Sequence, residues 1–558
     1  KMEDKMETLK PKLFSTMKTY TKEQFVKDVI SGIIVAIIAL PLSIALALAS
    51  GVSPERGIYT AIVAGFLISF LGGSRVQIAG PTAAFATIVA GIVADKGMEG
   101  LAVATIMAGV ILIVMGFFGV GSLIKFIPYT ITTGFTAGIA VTLLIGQIKD
   151  FCGLTIVTEE PLIETMDKLM ADIRNIGTIN FQAVLVGVVS LLILILGSRF
   201  LPKVPASLLA VLAGIAMVSG FHMKVNTIGD LYEISNKIPT PQMPAFSLKL
   251  IQSEWHDALT IALLAAIESL LSAVVADSMI NSKHRSNMEL IAQGCGNIAS
   301  ALFGGIPATG AIARTAANIK NGGRTPIAGM VHSVVLLLIL VLFMPYAALI
   351  PMPTIAAILF QVAYNMCGIK KVIYLCKTSA KSDIIVLMST FILTVVFDLV
   401  VAIEVGQIIA VVLFMKRMSE VTDVEGWRYV DDEDDADSLS LREVPKHTLV
   451  YEVSGPLFFG VADKIMHIAY KDTDQCIVVR MRSVNAIDAT AMHALEELYA
   501  NCCKKGVQLI FSHVNEQPML IMHKSGFYDK VGAENFCVHI DEALERAKMI
   551  SGATSSGK

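Results

Sequence analysis

Apolar residues dominate the chain up to about residue 416, in long runs that charged residues, glycines and prolines separate. A helix that crosses a membrane needs roughly 20 apolar residues, and a broken helix needs roughly half as many. The pattern therefore predicts a polytopic α-helical membrane protein with two sets of seven segments, of which the third and the tenth are short and start at a proline. The predicted segments are 29–50, 57–71, 76–93, 101–119, 129–148, 179–198, 206–220, 255–277, 287–303, 308–319, 326–349, 352–366, 382–397 and 399–415.

The chain changes character after residue 416, where an acidic run at 431–435 precedes alternating strand and helix patterns. Strands are predicted over 447–453, 475–481 and 507–512, and helices over 462–470, 489–502, 516–524 and 541–549. Roughly 110 residues are enough for a small α/β domain with its own core. The predicted parts are an N-terminal segment at 1–28, a membrane domain at 29–416, an acidic linker at 417–444, an α/β domain at 445–550 and a flexible tail at 551–558.

Composition narrows the class of protein further. Hydrophobic residues make up 54% of the chain and charged residues 16%, whereas a soluble domain carries about 25% charge. A soluble enzyme, a nucleic-acid-binding protein and a disordered protein are therefore excluded as descriptions of the whole chain. The 8 cysteines and 10 histidines have no metal-ligand spacing, and no nucleophile–base arrangement is visible, so we expect no cofactor, no disulfide framework and no enzymatic activity.

Basic residues between the predicted segments indicate the orientation of the chain. The loops on one side carry most of them, for example Lys370 and Lys371, and the lysine-rich N-terminal segment lies on that same side. Because positively charged loops stay in the cytoplasm and the number of segments is even, both termini are predicted to be cytoplasmic. A bacterial inner membrane fits this arrangement.

The two sets of seven segments have the pattern of an internal repeat. Pro81 and Pro307 are 226 residues apart, and Leu-Gly-Gly at 71–73 matches Phe-Gly-Gly at 303–305. Since each unit has an odd number of segments, the second copy must have the opposite orientation. Inverted repeats of this kind are typical of secondary transporters, whose site lies at mid-membrane between broken helices.

Both short segments begin with proline and small residues, as in Gly-Pro-Thr-Ala-Ala at 80–84 and Pro-Ala-Thr-Gly-Ala at 307–311. The free N–H groups of a helix start carry a partial positive charge, and an anion satisfies them well. Arg314 adds a full positive charge to the second of these segments. The pattern predicts an anion site between the two helix starts. The alternative interpretation is that small residues merely allow close helix packing.

Glu268 is predicted to lie deep in the eighth segment, beside Ser269 and Ser272. An ionised carboxylate at membrane depth is costly, so such a residue indicates a functional role. Glu268 is therefore a candidate to bind a cation or to take up a proton, and the alternative is a structural carboxylate bonded to the tenth segment. Ser43 follows Pro41 in the first segment, where a break in the helix would expose backbone to the site.

Four stretches resemble the SulP anion transporters, also called solute carrier family 26, and the tail resembles the STAS domain of that family. The stretches are 40–61, 80–84, 268–273 and 304–314. The resemblance implies a core and a gate domain, a homodimer and an elevator-like movement, with the anion between the starts of segments three and ten. The corresponding residues are Ser43, Leu46, Thr82, Ala83, Gly310, Ala311, Ile312, Ala313 and Arg314.

The resemblance also implies how transport is coupled. In sodium-coupled bicarbonate members, the ion site uses an aspartate in segment eight, a threonine four residues later and backbone of segment ten. Those positions hold Glu268 and Ser272 here, together with the backbone of 310–312. Glutamate in place of aspartate speaks against sodium and is compatible with a proton as the coupling ion.

The STAS resemblance suggests a regulatory position in the tail. Related anti-sigma-factor antagonists are phosphorylated on a Ser or Thr that follows an Asp, and the matching run here is Asp488-Ala489-Thr490. Asp488 and Thr490 are therefore candidate regulatory residues, and the alternative is that Asp488 caps the helix that follows. The expected partner at this domain is a cytoplasmic protein or a nucleotide.

Together these patterns predict a secondary active transporter of sulfate, bicarbonate or dicarboxylate anions that works by proton-coupled symport. The expected partners are a small inorganic or carboxylate anion, membrane lipid and a second copy of the chain, without nucleic acid. The alternatives are a sodium-coupled bicarbonate symporter, a nucleobase transporter, and an anion channel or sensor that signals through the STAS domain.

Overall fold

The computed structural model of the protein describes residues 9–121, 128–157, 162, 164–200, 204–245, 247–397, 399–421, 423–428, 444–458, 465, 468 and 473–555. Contacts divide the chain into two compact units, 1–408 and 409–558. The first unit is helical and the second contains a five-stranded sheet.

Thirteen helices, α1 to α13, correspond to the predicted membrane segments in the described part of the chain before the five-stranded sheet. They are α1 Lys22–Ala49, α2 Pro54–Leu71, α3 Ala86–Phe117, α4 Tyr129–Gly146, α5 Phe181–Phe200, α6 Ala206–Gly220, α7 Leu248–Ile280, α8 Ser286–Leu302, α9 Ile312–Lys320, α10 Ile327–Phe343, α11 Met352–Cys367, α12 Lys381–Val396 and α13 Leu399–Val421. Further helices cover Lys12–Thr16, Ile148–Cys152, Thr165–Arg174, Ile228–Leu231 and Ile369–Thr378, and 3-10 turns cover Met17–Thr19, Ala83–Phe85, Ile176–Thr178 and Met344–Leu349.

Helix α3 bends sharply at Gly97, which has φ 68° and ψ −170°. Only glycine adopts such a conformation without strain, so the kink at Gly97 divides α3 into two helical parts, which match the third and fourth predicted segments. Counted in this way, the described residues form the predicted fourteen segments. By length and apolar character alone, the helices that qualify as membrane spans within this part are Lys22–Ala49, Ala83–Phe117, Tyr129–Cys152, Leu248–Ile280, Ile327–Leu349 and Met352–Thr378.

The membrane helices pack as two bundles. The core bundle contains α1, α2, α3, α7, α8, α9 and α10, and the gate bundle contains α4, α5, α6, α11 and α12. Small residues allow the core helices to approach closely. A methyl group on Gly294 of α8, for example, would lie 2.5 Å from the carbonyl oxygen of Gly109 in α3. The predicted core and gate domains are therefore present in this fold.

Two short extended segments cross in the middle of the core bundle. Strand β1 (Ala79–Gly80) precedes α3, and strand β2 (Thr309–Gly310) precedes α9. The strands pair antiparallel, with Ala79 opposite Gly310 and Gly80 opposite Thr309. Because they come from matching positions of the two predicted repeat halves, this pairing joins the halves at the point where both membrane segments are broken.

Two buried carboxylates anchor turns at the face where α1 begins and α2 ends, one turn before β1 and the other after α9. Glu289 of α8 accepts hydrogen bonds from the N–H groups of Gly73 and Ser74, at 2.9 and 3.0 Å. Asp28 of α1 accepts a hydrogen bond from the N–H group of Arg324 at 2.9 Å. Each carboxylate therefore belongs to one repeat half and holds the turn of the other half, so the two halves depend on each other.

The second unit contains a sheet with the strand order β3-β4-β5-β6-β7. Strand β3 pairs antiparallel with β4, and the other neighbouring pairs are parallel. Apolar side chains such as Val479, Leu495 and Phe511 form its core. The elements are β3 Asp423–Arg428, β4 Thr448–Ser454, β5 Cys476–Ser483, α14 Ala489–Lys505, β6 Gln508–Ser512, α15 Glu516–Lys524, α16 Phe527–Val531, β7 Phe536–Cys537 and α17 Ile540–Ser555.

The predicted α/β fold of this unit is confirmed, with two corrections to its limits. Strand β3 lies in the range assigned to the acidic linker, 417–444, because its partner β4 supplies hydrogen bonds that local composition does not reveal. Helix α17 runs through Ser555, into the range predicted as a flexible tail. The acidic run at 431–435 and most of the helix predicted at 462–470 lie outside the described residues.

We expect a fragment comprising 422–558 to fold alone and to be more stable than a fragment comprising 440–558. The longer fragment keeps β3 on the edge of β4, whereas the shorter one leaves that edge unpaired. Six residue pairs are lost, so the free energy of unfolding should fall by at least about 1 kcal/mol. Circular dichroism and urea unfolding check this. Equal stability of the two fragments, or an unfolded longer fragment, would contradict it.

Candidate functional site

The side chain of Glu268 joins the two crossing segments. The hydroxyl oxygens of Thr82 and Thr309 each lie 3.0 Å from its Oε2 atom and 3.2 Å from each other. Thr82 starts the turn that leads into α3, and Thr309 lies in β2 just before α9. One carboxylate of α7 therefore contacts matching hydroxyl groups from both repeat halves.

Backbone groups of the crossing are partly satisfied by nearby polar atoms. The N–H group of Gly310 donates to Oγ of Ser269 at 3.1 Å, and that of Ala311 donates to the carbonyl oxygen of Ile78 at 2.8 Å. In contrast, no side chain of the described part caps the turn that starts at Thr82 or the start of α9 at Ala311. The helix starts therefore keep their positive ends available to a ligand.

The guanidinium group of Arg314 links α9 to the start of α3. Its Nη2 atom donates to the carbonyl oxygen of Pro81, and a methyl group on Gly80 would lie 2.5 Å from its Nη1 atom. The side chain is 1% exposed, and its Nε and Nη1 atoms have no hydrogen-bond partner within the described ranges. A full positive charge is thus held inside the core bundle, next to both helix starts.

The remaining predicted substrate residues differ in exposure. Leu46 and Ala83 are buried in one apolar cluster, and Ser43 is buried with its hydroxyl unpartnered among the described residues. Ile312 and Ala313 are exposed, so α9 presents them away from the packed core. The structure brings Glu268 and Thr82 into one hydrogen-bonded group with Thr309, and a separate hydrogen bond joins Gly310 to Ser269, the neighbour of Glu268. It places Leu46 and Ala83 in a shared cluster beside that group.

Ser272, the second predicted coupling residue, lies one turn after Glu268 on α7 and is fully buried. Its hydroxyl oxygen has no hydrogen-bond partner within the described ranges. In those ranges, no group of three His, Cys, Asp or Glu side chains is arranged to hold a metal ion. An ion at this place would therefore depend on one carboxylate, hydroxyl groups and backbone oxygens.

Sequence reasoning missed Thr309, Gln77 and His332. Thr309 could have been found, because it lies 227 residues after Thr82 and so matches it in the repeat. The carboxamide of Gln77 lies directly against Gly310, and His332 is completely buried in α10. Neither of these two side chains has a hydrogen-bond partner in the described part, and no motif in the sequence marks them.

The candidate regulatory residues lie in the second unit. Oδ1 of Asp488 accepts a hydrogen bond from the N–H group of Ala491 at 2.8 Å, so Asp488 caps α14. Thr490 is exposed in the first turn of this helix. The structure thus agrees with the interpretation of Asp488 as a helix cap, and phosphorylation of Thr490 stays a prediction that the exposed hydroxyl permits.

Broken helices that meet in the middle of a membrane bundle are typical of multi-pass membrane transporters. Residues 25–390 match the Sulfate permease family, and residues 439–546 match the STAS domain. The chain belongs to the sulfate permease family and carries a STAS domain, as the sequence motifs predicted.

Individual relatives agree with this assignment. The chain is 41% identical to the "Putative sulfate transporter YvdB" of Bacillus subtilis over 533 residues, which cover 94% of the chain and 98% of the relative. It is 32% identical to the "Bicarbonate transporter BicA" of Picosynechococcus over 538 residues, which cover 93% and 94%.

Solved structures show the same fold. The structure of SLC26A9 superposes with a TM-score of 0.83 at 19% identity, and the match covers 100% of this chain and 95% of the SLC26A9 chain. The transmembrane domain of a cyanobacterial bicarbonate transporter, BicA, superposes with a TM-score of 0.61 at 27% identity, and the match covers 70% of this chain and 98% of that domain.

We expect Thr309→Val to lower anion uptake by tenfold or more, whereas Thr309→Ser should keep most of it. Valine keeps the shape of threonine but removes one hydroxyl from Glu268, and a hydrogen bond to a charged group is worth about 1.5–3 kcal/mol. Uptake of radiolabelled sulfate and bicarbonate into proteoliposomes measures the effect. Thr105→Val is the control, because that buried hydroxyl donates to the backbone carbonyl oxygen of Leu101 in its own helix. Equal loss in the serine and valine variants would contradict a role for the hydroxyl.

Proposed function

We propose that this protein is a secondary active transporter of small inorganic or carboxylate anions, of the sulfate, bicarbonate or dicarboxylate class, coupled to protons by symport. The observation that carries the proposal is the pair of uncapped helix starts beside the buried guanidinium of Arg314. The protein lies in the bacterial inner membrane with both termini in the cytoplasm.

Electrostatics support an anion as substrate. The starts of α3 and α9 each present a partial positive charge to the space beside the crossing, and Arg314 adds a full charge at the same place. Inside a low-dielectric bundle these charges attract an anion more strongly than they would in water. Two relatives, the "Putative sulfate transporter YvdB" and the "Bicarbonate transporter BicA", are also named for anion transport.

The contacts of Glu268 support coupling to a proton. When ionised, the carboxylate accepts hydrogen bonds from Thr82 and Thr309, and when protonated it becomes a donor itself. Uptake of a proton therefore changes the hydrogen bonds that join the two repeat halves and removes a negative charge from the neighbourhood of the anion. Anion entry and proton entry then favour each other, which is the requirement of symport.

The two bundles support the proposed movement. The crossing segments and Glu268 belong to the core bundle, so this bundle can carry the bound anion as one body past a gate bundle held in a homodimer. Such a movement would change which side of the membrane the site faces while its hydrogen bonds stay intact. The STAS domain would regulate this movement through a cytoplasmic protein or a nucleotide.

A sodium-coupled bicarbonate symporter is the second candidate. The buried, unpartnered hydroxyl of Ser272 favours it, because a hydroxyl oxygen one turn from Glu268 is suited to bind a small hard cation. The relative named as a bicarbonate transporter is a further reason to test this candidate.

We expect Glu268→Gln to bind and exchange anions but to lose their accumulation against a gradient when the outside is acidified. Glutamine has the shape of a protonated glutamate and cannot release a proton. The measurement is uptake into proteoliposomes with sulfate, bicarbonate and dicarboxylates as competing anions, with and without a pH or sodium gradient. Glu99→Gln, at an exposed site, is the control.

If Glu268→Gln kept full pH-driven accumulation, Glu268 would be structural. If sodium alone drove the wild-type protein and Ser272→Ala abolished that effect, the sodium-coupled candidate would replace the proton-coupled one.

We also expect Arg314→Gln to raise the anion concentration needed for half-maximal uptake by more than tenfold, whereas Arg314→Lys should retain part of the affinity. The reason is that glutamine removes the charge while keeping a donor toward Pro81. The concentration dependence of uptake measures this, with size-exclusion profiles to confirm folding. An unchanged apparent affinity in Arg314→Gln would refute an electrostatic role for Arg314.

A further inference from the structure

A cluster of three basic residues lies at the face of the membrane unit where α1 begins and α2 ends. Its members are Lys12 in the N-terminal segment, Arg75 after α2 and Arg285 before α8. Burial lowers the pKa of Lys12 below its usual range, the neighbouring charges of Arg285 and Arg75 lower it further, and the carboxylate of Asp277 offsets a part of this. Three positive charges are therefore held near one another with one carboxylate beside them, so the cluster keeps a net positive charge that a further anion would offset.

Backbone contacts keep these charges together. The N–H group of Lys12 donates to the carbonyl oxygen of Gly72 at 2.9 Å, and its Nζ atom donates to the carbonyl oxygen of Lys283 at 2.8 Å. Nη1 of Arg285 donates to the carbonyl oxygen of Lys10 at 2.8 Å. The N-terminal segment thus spans from the end of α2 to the start of α8, and the cluster is a built feature of the core bundle.

The guanidinium group of Arg75 is available to bind a ligand. No hydrogen bond or ion pair of its guanidinium group occurs within the described ranges, and its Nε atom is buried without a partner. The acidic groups nearby are already engaged. Asp277 accepts hydrogen bonds from both the N–H group and the ring of His284, and Glu289 holds the backbone of Gly73 and Ser74.

Apolar side chains beside the cluster point to a lipid. Phe14 and Met17 of the same segment are 49% and 48% exposed, and the ring of Phe14 packs edge-on against Phe70 of α2. The exposed apolar residues of α1 begin at Phe25 and Val26, a few residues later. A segment with basic groups on one side and exposed apolar groups on the other is suited to the boundary between lipid headgroups and hydrocarbon.

We propose that Lys12, Arg75 and Arg285 bind the phosphate group of an anionic phospholipid in the adjacent leaflet, with Phe14 and Met17 inserted among its chains. Guanidinium groups bind phosphate oxygens through paired hydrogen bonds, and Lys12 adds a point charge. The bound lipid offsets the repulsion among the three cations and holds the N-terminal segment against the link that leads to β1. The site thus ties an anionic membrane to the core bundle.

The test uses the full chain, purified in detergent and supplied with phosphatidylglycerol, phosphatidylcholine or inorganic phosphate. Native mass spectrometry counts bound lipid, and the thermal unfolding midpoint reports stabilisation. We expect phosphatidylglycerol to bind and to raise the midpoint, and phosphatidylcholine and inorganic phosphate to have no such effect. Arg75→Gln should weaken phosphatidylglycerol binding about fivefold, since one basic group near a membrane surface contributes about that factor.

Matched variants separate the site from general surface charge. Arg75→Lys should keep most of the binding. Lys371 is an exposed residue of the short helix Ile369–Thr378, which the order of the membrane segments places on the same side of the membrane. Lys371→Gln removes this charge and should leave phosphatidylglycerol binding unchanged. Phe14→Ser should weaken lipid binding without touching the basic groups, which keeps the proposal testable if Arg75→Gln fails to fold.

The proposal is overturned if the wild-type protein does not distinguish the two lipids, or if Arg75→Gln binds phosphatidylglycerol as well as the wild type does. If Arg75→Gln and Lys371→Gln lost phosphatidylglycerol binding equally, the lipid would be held by diffuse attraction to surface charge and not by this site. Stabilisation by inorganic phosphate alone would identify a site for a free anion and would likewise overturn the lipid assignment.

Discussion

Breaking two helices inside a membrane bundle exposes backbone N–H and C=O groups where no water can satisfy them, and each unsatisfied group costs several kcal/mol. The core bundle meets this constraint with a two-residue antiparallel pair, β1 and β2. Asn297 supplies both an acceptor for the N–H group of Ala308 and a donor to its carbonyl oxygen, at 2.8 and 2.9 Å. Thr315 accepts from the N–H group of Ile78 at 3.0 Å. The other features of the site depend on this crossing.

The crossing also explains why the site is electropositive and only partly satisfied. Two helices must start there, and their first N–H groups have no intrahelical partners. Arg314 donates one hydrogen bond to Pro81, and its Nε and Nη1 atoms have no partner in the described part. The buried hydroxyls of Ser43 and Ser272 have no partner there either. A protein built only for stability would pair such groups, because an unpaired buried polar atom is costly. A transporter that binds and releases a polar ligand needs them.

The two repeat halves stabilise each other through contacts that cross between them. Glu289 and Asp28 each hold a turn of the opposite half, and Glu268 contacts Thr82 and Thr309 together. Helices of the two halves also pack against each other over long stretches, as α8 and α3 do, and Glu268 lies between both broken segments. A change in protonation or in a ligand at Glu268 would therefore act on both broken segments at once, as the proposed coupling of two binding events requires.

The sequence by itself determined the number of membrane segments, the two broken helices and the α/β character of the tail, because these follow from the lengths and periods of apolar runs. It also marked Glu268, since a carboxylate within an apolar run is conspicuous. Only the tertiary structure decided that Thr309 contacts Glu268, that Arg314 reaches Pro81, that β3 joins the sheet and that Lys12 meets Arg75 and Arg285. The contacts within the membrane unit join residues that are far apart in the chain. Strands β3 and β4 are separated by the acidic linker. A local sequence pattern does not reveal which distant side chain will contact a given residue. Such contacts can be known only from how the helices and strands pack.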